Sequence, residues 1–240
     1  MLFIIDAFKW ILLVYLAAAV LPAFVLLRYI YHHDRVEKEP AGLLLSLFLL
    51  GVVSALFAGV IERILKGILG MIVPSGTILH TVLLAFVVVA MVEEGAKFFF
   101  MKRCSWNHPA FNYRFDAIVY AVFVSLGFAA YENILYVFNY GLSTAVLRAV
   151  TAIPAHMSFA VFCGVFYGRA KRCAVYGRDE LARWNLQMAY VAAVVFHGVY
   201  DACAMLGTGL SILVFVVFVS VMFWAVFRLV KRESCLDQPM

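Results

Sequence analysis

Seven charge-poor apolar runs occupy most of this chain, at about 10–27, 41–61, 77–101, 117–138, 149–168, 186–206 and 210–227. Crossing a bilayer takes about 20 predominantly apolar residues per helix, so seven crossings leave only short connections in 240 residues. Hydrophobic residues make up 66% of the sequence and charged residues 14%, against roughly 25% charged in a soluble domain. A water-soluble fold is thereby excluded. The expected class is all-α: a polytopic membrane bundle forming a single integral membrane domain over 1–240. The first run, with Ala17 and Ala19 in an A-x-A pattern, is too long for a cleaved leader and reads as a retained helix. Between the second and third runs, Ile64, Leu65, Ile68, Leu69 and Ile72 share one helical face with Glu62, Arg63 and Lys66 elsewhere, which predicts a separate interfacial helix over 62–73.

The formal charge of +5 reports topology here rather than nucleic-acid binding, because lysine and arginine mark the loops that stay in the cytoplasm. With seven spans, alternate connections face opposite sides. One side collects Arg28, Arg35, Lys38, Lys102, Arg103, Arg114, Arg169, Lys171, Arg172, Arg178, Arg183, Arg228, Lys231 and Arg232. The other has Lys9, Arg63, Lys66 and Arg148, and Lys97 lies inside a span. The asymmetry places the C-terminus in the cytoplasm and the N-terminus outside. Five cysteines form no CxxC pair, so neither a disulfide framework nor a cysteine zinc site is indicated.

Polar residues stand where the hydrocarbon should be: Glu93, Glu94 and Lys97 on the third span, Glu132 on the fourth, His156 on the fifth, His197 and Asp201 on the sixth. A charge at a helix centre costs about 2.5–3.5 kcal/mol on insertion scales, so these groups should face one another. Their spacing agrees, since Glu93 and Lys97 are i,i+4, Glu94 and Lys97 i,i+3, and His197 and Asp201 i,i+4. Each has a structural alternative: Glu94 with Lys97 as an ion pair, His156 as a histidine bonded to a backbone carbonyl, His197 with Asp201 as a packing hydrogen bond. Together they exceed what ion-pair packing requires. Elsewhere, His80 lies near a helix end and His32, His33 and His108 fall in loops; Asp116 reads as the N-terminal acid that caps the fourth span. The stretch Asp34 to Pro40 reads as a solvated connection whose proline opens the next helix.

In order, the chain carries EExxK (Glu93, Glu94, Lys97), FxxxE followed by Asn133 (Phe128, Glu132), a lone His156, and HxxxD (His197, Asp201). This ordered set resembles the PrsW family of bacterial intramembrane proteases, as does the charged loop ending in Glu39-Pro40. The wider superfamily of CAAX-type prenyl-protein endopeptidases has a pattern closer to EExxxR, FxxxH and HxxxN. Here Lys97 replaces the arginine at shorter spacing and Glu132 stands where the histidine would be, which favours the PrsW branch. The resemblance implies a bacterial inner-membrane protease that cleaves a single-pass membrane protein, typically an anti-sigma factor in a stress-signalling cascade, near its extracytoplasmic juxtamembrane segment. The lipid bilayer is the other partner, and no nucleic acid is expected.

Peptide hydrolysis needs a nucleophile, and no activated serine or cysteine is evident, so water activated by Glu93 or Glu94 is the expectation. The resemblance to CAAX-type relatives favours Glu93. His156 and His197 would orient the water or donate to the oxyanion, with Lys97 as counter-charge, Glu132 in support and Asp201 fixing the His197 tautomer. No cofactor is expected; the alternative is zinc on Glu93, His156 and His197. A non-catalytic scaffold, as one gamma-secretase subunit of this superfamily is, or a proton-coupled transporter uses similar residues. Transporters usually show paired broken helices, whereas Pro154 breaks a predicted helix interior here with no pairing of the two halves evident. Reporter fusions after Lys102, Arg172 and Arg232 should report cytoplasm, and one within Ser75–Thr77 the opposite side; an external signal from the C-terminal fusion overturns the seven-span assignment.

Overall fold

Leucine, alanine, valine and phenylalanine dominate every long run, and with no water to bond the backbone in lipid, such runs satisfy their peptide groups internally as helices. The computed structural model describes residues 2–240, with side chains from residue 9 onward. It contains α1 (Leu2–His33), α2 (Ala41–Ile72), α3 (Ile78–Leu83), a π-helical segment (Leu84–Ala90), α4 (Met91–Ser105), α5 (Asp116–Tyr140), α6 (Leu142–Val150), α7 (Ala152–Val175), α8 (Asp179–Leu206) and α9 (Gly209–Cys235). Among the described residues there is no strand, only an isolated bridge between Tyr113 and Pro239. Among the described residues seven spans are long and apolar enough to cross a membrane, α3 to α4 and α6 to α7 each counting as one.

Helix α5 is the core of the bundle, packed by α2, α7 and α1, while α7 in turn carries α8. The α2–α5 crossing is backbone against backbone from both sides. A methyl group on Gly51 would lie 2.0 Å from the Val124 carbonyl oxygen, and one on Gly127 would lie 2.1 Å from that of Phe48. In lipid, where apolar side chains gain little by leaving one apolar medium for another, close contact at small residues is what holds helices together. The outer faces of α1, α2 and α9 expose large apolar side chains such as Trp10, Leu45 and Val217.

Four local expectations are corrected. Residues 62–72 do not form a separate interfacial helix but continue α2, with Glu62 and Lys66 paired at 3.5 Å. The interfacial-type helix lies instead at α6, where Val146, Leu147 and Val150 are exposed on a strongly amphipathic nine-residue helix. Because α6 ends at Val150, Pro154 falls in the first turn of α7, where its missing N–H costs no helical bond.

The stretch before α2 is not a solvated connection. Pro40 does open α2, but Asp34 and Glu39 are buried, and the Tyr120 hydroxyl donates to Glu39 Oε2 at 2.6 Å. Burial pushes the Glu39 carboxyl up to about 7 and that of Asp34 up to about 6. Asp116 reaches backwards rather than capping α5: its Oδ2 accepts from the N–H groups of Asn112 and Tyr113 at 3.0 and 2.7 Å, which ties down the preceding loop.

Gly127→Val should drive α2 from α5 and lower the melting temperature in detergent, at an overpacking cost of about 1–3 kcal/mol or more. Gly59→Ala, where nothing lies within 4 Å of the added methyl, should be neutral or stabilising by about 0.5–1 kcal/mol. Equal melting of both variants contradicts a backbone-to-backbone crossing.

Candidate active site

Helix α4 enters the bundle from the π-helical segment, and such a segment shifts the face that all following residues present. Phe86 of that segment rests on Gly198 of α8, where a methyl group would come within 2.3 Å of the ring. The glycine that follows His197 thus lets the segment approach. The Tyr190 hydroxyl fastens the same pair of helices by donating to the Met91 carbonyl at 2.9 Å. On α7, the Ser125 hydroxyl of α5 donates to the His156 carbonyl at 2.9 Å. These contacts set α4, α5, α7 and α8 around one point.

That point is the Lys97 ammonium. Its Nζ lies 3.1 Å from Glu93 Oε2, 2.8 Å from Glu94 Oε1 and 3.2 Å from His156 Nδ1, which uses its three protons. It also stands 3.9 Å from the centroid of the Phe128 ring, a favourable cation–π position. Since Lys97 donates to Nδ1, His156 carries its proton on Nε2, an assignment made from the bonding network. That Nε2 donates to Glu132 Oε2 at 3.1 Å. His197 Nδ1 lies 2.8 Å from Glu94 Oε1, and its Nε2 lies 3.4 Å from Asp201 Oδ2 and 4.0 Å from Glu93 Oε2. The His197 ring stacks on Phe159 at 4.8 Å. Glu94, rather than Asp201, is therefore the shorter partner of His197.

The two glutamates meet different surroundings. Glu93 lines a cavity of about 120 Å³ together with Glu132, His156, His197, Asp201 and Arg148. Glu94 lines instead a small space of about 10 Å³ beside Lys97 and Cys163, at the limit of what one water occupies. All seven polar residues singled out from the sequence belong to this one connected cluster. Arg148 was assigned only to a connecting loop, yet it pairs with Glu132 at 2.7 Å. The amphipathic pattern of 142–150 is the sequence signal that could have placed it.

Glu93, Glu94 and His156 present ligand atoms within 4.8 Å of one another, a donor set of the kind zinc uses. The expected set of Glu93, His156 and His197 is not the one brought together, because His197 is turned onto Glu94 and Asp201. The Lys97 ammonium hydrogen bonds to every member of the close set, so a metal ion there would stand beside a like charge about 3 Å away in a low-dielectric bundle. A metal ion can take these donors only with the Lys97 ammonium displaced from them.

The profile of the family described as PrsW family intramembrane metalloprotease matches residues 39–227. The chain belongs to the PrsW family. It is similar to Protease PrsW of Geobacillus kaustophilus, 33% identical over 228 residues covering 93% of this chain and 94% of the relative. Protease PrsW of Clostridioides difficile is 31% identical over 91% of this chain and 90% of its own length, and that of Bacillus subtilis 32% identical over 78% and 80%. No solved structure matches. Membership in the PrsW family makes this chain a peptidase of the bacterial membrane, acting on a protein substrate in the bilayer.

Lys97→Met leaves two buried carboxylates without their counter-charge and should destabilise the protein by about 3–5 kcal/mol. Melting in detergent checks it, and a wild-type melting temperature contradicts a buried ion cluster.

Proposed function

We propose that the protein hydrolyses a peptide bond of a single-pass membrane protein by a metal-independent attack of water, with Glu93 as the base. One observation carries this reading: of the two glutamates held by Lys97, only Glu93 also lines the 120 Å³ cavity where water and a peptide can meet. Water bound beside Glu93 would give its proton to the carboxylate as its oxygen attacks the carbonyl carbon. As the tetrahedral intermediate collapses the C–N bond breaks, and the same proton passes to the leaving amine. Glu94, held at 2.8 Å by both Lys97 and His197, serves as the fixed anion between an ammonium and an imidazolium, His197 being doubly protonated on this reading because carboxylates face both of its nitrogens. The His197 Nε2 has only long contacts within the cavity wall, at 3.4 and 4.0 Å, which leaves it able to donate to the oxyanion.

On this reading the N-terminus lies outside, and the cavity, which includes Glu62 and Lys66 of α2 and Arg148 of α6, opens toward the extracytoplasmic side. The substrate is cut near its extracytoplasmic juxtamembrane segment. The resemblance points to an anti-sigma factor as that substrate.

Purified protein and a single-pass substrate co-reconstituted in vesicles provide the test. Cleavage should persist in the presence of a strong chelator. Glu93→Gln should lower turnover by about 100-fold or more while keeping expression and melting, because glutamine keeps the volume but cannot take the proton. Glu94→Gln should retain part of the turnover. Loss of cleavage on chelation, restored by added zinc, overturns the metal-independent mechanism; an active Glu93→Gln beside a dead Glu94→Gln reverses the two glutamates. Normal cleavage by both removes the glutamate–water mechanism.

A further inference from the structure

Arg148 reaches the site from α6, and its guanidinium is divided between two acceptors on α5. Nε donates to Asn133 Oδ1 at 2.9 Å and a terminal nitrogen donates to Glu132 Oε2 at 2.7 Å. Its plane lies over Tyr136, with the central carbon 4.0 Å from the ring centroid. Asn133 is fully buried and itself donates to the Ala19 carbonyl of α1 at 2.7 Å. The fork is thus anchored on a fixed amide at one prong, and a rigid planar guanidinium carries that fixation to the other.

The oxygen Arg148 holds is the same Oε2 that receives His156 Nε2 at 3.1 Å. Glu132 is the most exposed carboxylate of the His156 and Lys97 cluster, its side chain 22% accessible against 5–6% for Glu93 and Glu94. Without a holder it has room to turn toward the cavity, and His156 would lose the acceptor that sets its ring rotation and tautomer. A simple staple between α6 and α5 needs either prong alone, and neither has to fall on the oxygen that orients the histidine.

We propose that Arg148 is a positioning residue that acts through Glu132 to hold His156 in register with Lys97. The kinetic part of this inference rests on the protease reading above; the geometric part does not. A fixed Glu132 keeps one His156 tautomer, with Nδ1 free to accept from Lys97 and Nε2 protonated.

The full-length protein is purified as wild type, Arg148→Met, Arg148→Lys, Glu132→Gln and the Arg148→Met/Glu132→Gln double variant, and assayed on a single-pass substrate. Arg148→Met should lower kcat by about ten-fold or more with KM changed less than about two-fold, the signature of lost alignment rather than lost binding. In the Glu132→Gln background the same substitution should cost less than about two-fold, since residues acting through one another are not additive. Arg148→Lys keeps the charge but not the planar fork that joins Asn133 to Glu132, so it should show most of the same loss, and it carries the test if Arg148→Met does not fold. An equal fold-loss in both backgrounds, or a raised KM with kcat intact, overturns the proposal. Spectra of ¹⁵N-histidine-labelled protein need no substrate: His156 should show a single Nε2-protonated tautomer in wild type and a mixture of tautomers in the Arg148 variant that is expressed and folded. An unchanged His156 signal there rejects the proposal even if no substrate is ever cleaved, in which case the protease reading fails separately.

Discussion

A single ammonium group inside a membrane bundle organises the structure. Lys97 is buried, as are Glu93, Glu94, His156 and His197, and none of these is tolerable alone in a low-dielectric interior, where breaking a charge pair costs far more than it does in water. Their mutual contacts are therefore a condition of folding as much as of chemistry. The Lys97 side chain spends its three protons on three acceptors and rests on Phe128. Every helix that supplies one of those groups has its rotation constrained by that bonding, which is why α4, α5 and α7 cannot slide freely past each other.

The scaffold meets the constraint with small residues and one irregular segment. Gly51 and Gly127 let α2 and α5 touch along their backbones, and Gly198 receives Phe86 of the π-helical turn ahead of the glutamates. A regular α-helix through 84–90 would present a different face of α4 to the bundle, because a wider turn changes the angular position of all that follows. Irregular backbone at membrane depth is accepted where it is enclosed by protein, and Ala85, Val88, Val89 and Ala90 of this segment are indeed buried.

The cluster gives two neighbours in sequence two different surroundings. Glu93 and Glu94 share one cation, yet one borders the cavity and the other a space too small to hold more than a single water. The family description as a metalloprotease rests on chemistry for which this chain offers donors of the right kind, with its own lysine standing among them. On the reading proposed above, Lys97 supplies beside these acids the positive charge that a metal would otherwise bring. The polar chain continues outward from His156 through Glu132, Arg148 and Asn133 to the backbone of α1, so a helix remote from the glutamates still bears on them.

Much of this was legible from residue order alone. Apolar runs of spanning length determine the seven crossings, since lipid admits no unpaired backbone, and acids, histidines and a lysine at helix centres must find one another because isolation there is too costly. Residue periodicity reports one helix at a time, however, and it erred where the outcome depended on a neighbour. Glu62 and Lys66 read as the edge of an interfacial helix but line the cavity on a continuous α2; Glu39 read as solvated but is covered by Tyr120; Asp116 read as a cap but binds the loop behind it. The tertiary structure alone decided that His156 joins Glu93 and Glu94 around Lys97, that Glu93 and not Glu94 borders the cavity, and that Arg148 belongs to the site. Those outcomes turn on helix rotation and crossing distance, set by glycine contacts and the π-helical turn, and neither quantity is encoded in the spacing of residues along a single helix.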